Sequence, residues 1–144
     1  MERLLFGSAG VPHSASGRST IAGIERVAAV GLGCMELEFV QGVKMGRETA
    51  LQVAELASKR KIVLTAHAPY YINLNAKDSA KLKASQQRIL QTARIASLCG
   101  AVSIVFHAGF YMEEPPARVH GEVKKNLQQV VSQLRAEGNH VWIR

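Results

Sequence analysis

Short apolar runs alternate with longer amphipathic segments along the whole chain. Hydrophobic positions at helical spacing predict four helices, from Ser19 or Thr20 to about residue 31, over 47–60, over 79–98 and over 115–137. The apolar runs between them predict strands at 3–6, 34–40, 61–66, 101–106 and 140–143. The cluster Gly-Ser-Ala-Gly at 7–10 is expected to end the first strand. The pattern therefore predicts strictly alternating strands and helices.

This alternation predicts an α/β fold. Strands separated by helices must be parallel, because the chain needs a crossover to return to the same end of the sheet. A complete (β/α) barrel has eight such units and ~250 residues, whereas this chain carries about four and a half. We therefore predict parallel (β/α) repeats forming a partial TIM barrel, with residues 1–144 as the N-terminal half of one barrel domain. A small open sheet is the alternative.

Composition narrows the class of protein. Hydrophobic residues make up 47% and charged residues 20% of the chain, which is typical of a soluble globular domain. We expect no membrane association, because no apolar stretch of ~18 residues occurs. The N-terminus lacks a signal-peptide pattern, and Cys34 and Cys99 lack CxxC spacing, so we expect a cytoplasmic protein with two free thiols. No GxGxxG or P-loop motif follows the first strand.

The net charge of +7 has two interpretations. It favours an acidic partner such as a nucleic acid backbone, through steering and counterion release. A generic basic surface would give the same number, so charge alone leaves both interpretations open.

Two histidines occupy matching places in the repeat. His67 and His107 each come at the end of an apolar strand and precede small or turn-forming residues. The C-terminal ends of parallel strands are where sites assemble, and adjacent strands lie ~4.8 Å apart. Neutral imidazole is a good zinc ligand, so this pair predicts a divalent-metal site. Glu38, near the end of the second strand, is a candidate ligand or second-sphere partner.

Other side chains could add to this site. Glu113 and Glu114 follow His107 in a loop, where they could be ligands or a solvated acidic pair before a helix. His13 follows the first strand and could contribute at the same rim.

The segments around both histidines resemble the endonuclease IV family. Residues 65–74 read Thr-Ala-His-Ala-Pro-Tyr-Tyr-Ile-Asn-Leu, similar to the family motif of a metal-binding histidine followed by an aromatic residue and Ile-Asn-Leu. Residues 105–109, Val-Phe-His-Ala-Gly, resemble the next motif, normally Phe-His-Pro-Gly; Ala108 replaces the usual proline. The resemblance runs over the whole chain but covers only the first half of the family's barrel.

The resemblance implies a function and roles for individual residues. The family hydrolyses the phosphodiester 5′ to abasic sites in DNA, using two or three zinc ions. His67 and His107 would be zinc ligands, and Tyr70 and Tyr71 match residues that enter the DNA at the lesion. The remaining implied residues are Gln41 and Lys44, which would reach phosphate, and Asn73, which would fix the loop.

The same resemblance implies that the site is incomplete. The next family motif, typically Pro-Glu-Thr with a bridging glutamate, would begin after residue 144, and later ligands follow it. We therefore expect a truncated chain that is inactive alone or needs a partner. Two alternatives stay open: a sugar isomerase or epimerase of the xylose isomerase-like superfamily, which Glu38 would favour, and a non-catalytic half-barrel that binds DNA or forms a homodimer through its open edges.

Overall fold

Four helices and five strands alternate in the computed structural model, which describes residues 4–144. The strands are β1 (Gly7–Ala9), β2 (Cys34–Glu38), β3 (Val63–His67), β4 (Ser103–Val105) and β5 (Trp142–Ile143). The helices are α1 (Thr20–Ala29), α2 (Arg47–Arg60), α3 (Ser79–Leu98) and α4 (Pro116–Ala136). All five strands are parallel and lie in the order β1-β2-β3-β4-β5. The predicted α/β fold of parallel repeats, a partial barrel, is confirmed.

The sequential strand order explains which side of the sheet carries the helices. Parallel crossovers are almost always right-handed, so a chain that always advances in one direction puts every helix on the same face. Alternate strand residues such as Met35, Leu37, Leu64 and Ile104 are therefore buried with the helices in one core. The other strand residues, including Glu36 on β2 and Val63, Thr65 and His67 on β3, point to the opposite face of the sheet. That face would be the interior of a barrel.

Local signals place the helix ends where the sequence predicted them. The hydroxyl of Ser19 accepts a hydrogen bond from the Ala22 amide at the start of α1, and Asp78 accepts one from the Lys81 amide at the start of α3. The bounds of α2 and α3 match the predicted ranges 47–60 and 79–98.

The first strand was predicted in the wrong place. Its predicted range, 3–6, begins outside the described residues, and Leu4 and Phe6 are 77% and 69% exposed. The strand is instead Gly7–Ala9, within the cluster expected to break it. A Cβ at Gly7 would collide with the carbonyl oxygen of Cys34 on the neighbouring strand. Glycine is needed here because the two strand backbones approach closely. In a sequence, such a glycine looks the same as one that marks a turn.

The third strand was predicted to begin two residues too early and to end one residue too early. Lys61 has a left-handed backbone (φ 57°) and caps α2 through its amide, so it cannot belong to the strand. The strand runs through Val63–His67, and His67 is its last residue rather than the residue after it. The strands β4 and β5 are also shorter than predicted, as is β2, which ends at Glu38.

Candidate metal centre and its rim loops

Two imidazoles meet at the C-terminal rim of the sheet. His67 ends β3, and His107 follows the end of β4 by two residues. In the parallel register His67 lies opposite Val105, and side chains two residues apart point to the same face, so His107 stands beside His67. Their ring centroids are 5.3 Å apart and the planes are tilted by 51°. This separation allows both rings to bind one metal ion or two adjacent ions.

One hydrogen bond orients the His67 ring. Its Nδ1 lies 2.7 Å from the carbonyl oxygen of Ala68, and that carbonyl can only accept, so Nδ1 carries the proton. The Nε2 lone pair is then left for a ligand. Metal-binding histidines are typically held this way, with the second ring nitrogen donating to a carbonyl or carboxylate. Ala68 is itself fixed, because its amide donates to the Val105 carbonyl at 2.9 Å.

Tyr70 completes a cluster of three rings. Its centroid lies 5.7 Å from that of His67 and 5.8 Å from that of His107, and its side chain is 54% exposed. Tyr71 is 63% exposed, and the Arg88 guanidinium carbon lies 6.0 Å from its ring centroid. Arg88 also donates to the Tyr71 carbonyl at 3.2 Å, which ties this loop to α3. Both tyrosines are thus exposed to solvent, Tyr70 beside the imidazole pair and Tyr71 beside Arg88.

The remaining predicted residues lie around this rim. Glu38 is the register partner of His67, and its carboxylate Oε2 lies 3.1 Å from where a Cβ at Gly10 would stand. Gln41 and Lys44 are exposed in the loop between β2 and α2. The amide of Tyr70 donates to the Val40 carbonyl in this loop at 3.3 Å, so the loop adjoins the aromatic segment. His13 is exposed in the loop between β1 and α1.

The donor set is limited to the imidazole pair. Among residues 4–144, no third histidine, cysteine, aspartate or glutamate joins the pair in a group that could hold a metal ion. Glu113 is exposed, and Glu114 is engaged elsewhere, with Lys77 at 2.7 Å and Arg118 at 2.9 Å. The hydrogen bond from Lys77 is the main reason that the pKa of Glu114 lies below its ordinary value. Two imidazoles fit two positions of a tetrahedral zinc ion.

Asn73 joins the loops that follow β3 and β4. Its Oδ1 accepts from the amides of Asn75 at 3.0 Å and Phe110 at 3.4 Å, and its Nδ2 lies 3.4 Å from the Met112 sulfur. Asn75 adds a bond from its own side-chain amide to the Phe110 carbonyl at 2.9 Å. At Gly109 a Cβ would lie only 2.8 Å from Asn73 Oδ1, so any larger residue there would displace the Asn73 carboxamide. The two loops therefore form one hydrogen-bonded unit.

Sequence reasoning missed three exposed side chains in this unit. Phe110, Tyr111 and Met112 are 60%, 61% and 49% exposed in the loop after His107. The available signal was that two aromatic residues follow each strand-end histidine at the same distance, three and four residues later. We call the five exposed large hydrophobic residues of the two loops the rim patch: Tyr70, Tyr71, Phe110, Tyr111 and Met112.

No helix within the described residues has the length and hydropathy needed to cross a membrane. Cys34 and Cys99 are both free thiols, with Cys99 buried and Cys34 partly buried.

Comparison with known proteins identifies the family. A protein of Methanocaldococcus jannaschii, the uncharacterized protein MJ0133, is 38% identical over 141 residues, which are 98% of this chain and 50% of the relative. The D-psicose 3-epimerase of Clostridium cellulolyticum, solved with D-tagatose, superimposes with a TM-score of 0.72 at 14% identity, covering 94% of this chain and 50% of that one. Endonuclease IV of Thermus thermophilus gives a TM-score of 0.61 at 20% identity, covering 85% of this chain and 46% of that one.

At such identities the two solved structures show a common fold and nothing finer. The chain spans about half the length of each of these relatives. The sequence model of the xylose isomerase-like TIM barrel family matches residues 24–144, most of the chain. The chain therefore belongs to the xylose isomerase-like TIM barrel family.

Proposed function

We propose that this chain carries part of a zinc-dependent phosphodiesterase site that acts at abasic sites in DNA, as in endonuclease IV. The observation that supports this proposal is the cluster of His67, Tyr70 and His107, in which two metal-binding rings and an exposed aromatic ring lie within 5.8 Å of one another. A metal site beside a large exposed ring suits a substrate in which a base is missing, because the ring can occupy the empty place in the stack.

Each residue has a part in this proposal. His67 and His107 would hold zinc through one ring nitrogen each, with Ala68 fixing the His67 ring. Bound zinc supplies an activated water and stabilises charge on the phosphodiester. Tyr70 and Tyr71 would wedge into the duplex, while Gln41 and Lys44 reach toward phosphate. The net charge of +7 would draw the chain to DNA.

The proposed site needs further ligands. Catalytic zinc usually has three protein ligands and a water, and residues 4–144 bring two ligands together. In the full family site, two or three zinc ions are held by additional side chains from later strands. We therefore expect this chain by itself to bind zinc weakly and to show little or no hydrolysis, while a partner that brings carboxylates to the same rim would raise both.

A second copy of the chain is the partner that we propose first. Within the described residues, β1 and β5 each pair with one neighbour, so each leaves one edge with free backbone groups. Trp142 on β5 is 67% exposed, which adds apolar surface at that edge. Sedimentation at increasing concentration tests this, since a chain that stays monomeric at high concentration contradicts the homodimer.

The alternative functions make different demands on the same rim. A sugar isomerase or epimerase would use Glu38 together with the metal and would bind a ketose rather than DNA. A non-catalytic half-barrel would bind abasic DNA in a salt-dependent way without a need for metal. Zinc titration, abasic-oligonucleotide cleavage and ketose epimerisation, measured side by side, separate the three.

The first test measures metal binding, because binding can be detected without enzymatic activity. Visible spectra of the chain with Co²⁺, used in place of Zn²⁺, report nitrogen ligation, and competition with a chromophoric chelator gives the zinc affinity. We expect His67→Ala and His107→Ala each to weaken zinc binding by about tenfold or more. His140→Ala is the matched control, because His140 is exposed and precedes β5 at the opposite end of the sheet. Equal zinc affinity in all four proteins would remove the basis of the proposal.

A further inference from the structure

The rim patch presents more apolar surface than a metal site requires. Its five side chains are between 49% and 63% exposed and come from the two loops that Asn73 joins. Isolated exposed hydrophobic residues are ordinary on a protein surface, whereas a group of them marks a binding surface. Phe110, Tyr111 and Met112 lie in the second loop, so a ligand that covers them would extend beyond Tyr70 and Tyr71.

The backbone of the second loop holds these side chains in place. Met112 and Glu113 have φ of 51° and 64°, a left-handed conformation that residues other than glycine rarely adopt. The turn is held on both sides, because the Glu114 amide donates to the Tyr111 carbonyl at 3.0 Å and the Met112 sulfur contacts Asn73. Such strain persists only where surrounding contacts enforce it, and it is concentrated at functional sites. The rings are thus kept at the surface by a specific arrangement.

Cations lie among the exposed rings. Arg88 stands over the Tyr71 ring, and Lys77, 67% exposed near the end of the first loop, pairs with Glu114 of the second loop. Lys44 is exposed in the loop whose Val40 carbonyl accepts from the Tyr70 amide. Of the two acidic residues here, Glu113 lies in the turn itself and is exposed, whereas Glu114 is paired with Lys77 and Arg118. Flat apolar rings bordered by cations match a polyanion that carries flat apolar groups, as single-stranded nucleic acid does.

We propose that the rim patch is a stacking surface for the unpaired bases of single-stranded nucleic acid. Phe110 and Tyr111 stack on successive bases, and the neighbouring cations contact the phosphates. This binding does not use the metal site and extends beyond the proposed hydrolysis. A protein partner would cover the same side chains, and the experiment below separates the two occupants.

The experiment measures binding of a fluorescein-labelled DNA single strand of about twelve nucleotides. Fluorescence anisotropy is recorded in EDTA, so that loss of metal binding cannot affect the result. We expect Phe110→Ala and Tyr111→Ala each to weaken binding by about five- to a hundredfold, whereas Tyr111→Phe keeps most of the affinity because the ring remains. Val30→Ala is the matched control, because Val30 is 47% exposed at the C-terminal end of α1, which lies at the opposite end of the sheet from the rim.

Salt dependence separates stacking from charge. The slope of log affinity against log salt concentration should be unchanged by Phe110→Ala and reduced by Arg88→Gln. The proposal is overturned if the variants with ring substitutions bind the strand as tightly as the unsubstituted chain. If these variants also lose self-association in sedimentation, the patch belongs to a protein partner. Failure of the zinc test leaves this binding in place, since it is measured without metal.

Discussion

Gly109→Ala should destabilise the chain even though glycine-to-alanine changes are often stabilising. The added Cβ would lie 2.8 Å from Asn73 Oδ1 and 3.4 Å from the amides of Leu74 and Asn75. The contact with Oδ1 is too close for an unbonded carbon and oxygen, so the Asn73 side chain has to move. That carboxamide accepts hydrogen bonds from the amides of Asn75 and Phe110, which would be weakened or lost.

The two opposing effects can be compared in size. Losing two such hydrogen bonds costs about 1–3 kcal/mol of the free energy of unfolding. The reduced entropy of the unfolded chain returns about 0.4–1 kcal/mol, since Gly109 does not have a positive φ and alanine can adopt its backbone. We therefore expect a net loss of about 1 kcal/mol.

Urea unfolding followed by far-ultraviolet circular dichroism measures this loss. With an m value of about 1–3 kcal/mol/M, the midpoint should fall by roughly 0.3–1 M. Gly121→Ala is the matched control, because nothing lies within 4 Å of a Cβ there and the residue is inside α4. It should gain about 0.5–1 kcal/mol from helix propensity.

A double-mutant cycle shows whether the contact with Asn73 is the cause. When Asn73→Ala is already present, Gly109→Ala has no carboxamide to displace, so its cost should disappear or change sign. If Gly109→Ala is as stable as the unsubstituted chain, or if its cost persists without the Asn73 side chain, the loops are not joined in the way described.

Three further predictions concern the core and the helix ends. Burial raises the pKa of the Cys99 thiol to about 11, so iodoacetamide should label Cys99 at pH 8 only after unfolding in urea. Peptide mass spectrometry measures the labelling, and a labelled Cys99 in the folded chain would contradict this prediction. Asn126→Ala should cost about 1–3 kcal/mol in urea unfolding, because the buried side chain donates to the Leu74 carbonyl at 2.9 Å; an unchanged midpoint would count against that bond. The Arg94 hydrogen bonds lower the pKa of Glu137 from 4.5 to about 2, so the carboxylate's contribution to folding stability is complete above pH 4.5 and is lost as the pH falls toward 2. Glu137→Gln should therefore lose less stability than the unsubstituted chain across this pH range. Parallel profiles of unfolding free energy against pH would refute this.

The imidazole pair was accessible to sequence reasoning because of a simple geometric rule. Parallel strands end at one rim, so two histidines at matching positions of consecutive repeats must lie close together. The one-residue difference at the end of β3 did not alter this result, since His67 stays at the rim whether it ends the strand or follows it. The role of Asn73 in joining the two loops depends on long-range contacts with Phe110 and Met112, and no local pattern in the sequence predicts that Asn73 contacts them.

The sequence by itself determined the order of the strands and helices and the helix ends, because hydrophobic period and capping are local properties. It also determined the parallel arrangement, because strands joined by crossover helices must be parallel. The tertiary structure decided the position of β1, since a glycine that permits close strand approach and a glycine that makes a turn look alike in a sequence. It also decided that Phe110 and Tyr111 stay exposed. Large aromatic side chains are often buried, and their exposure here depends on where the tertiary structure places this loop, which the hydrophobic pattern does not specify.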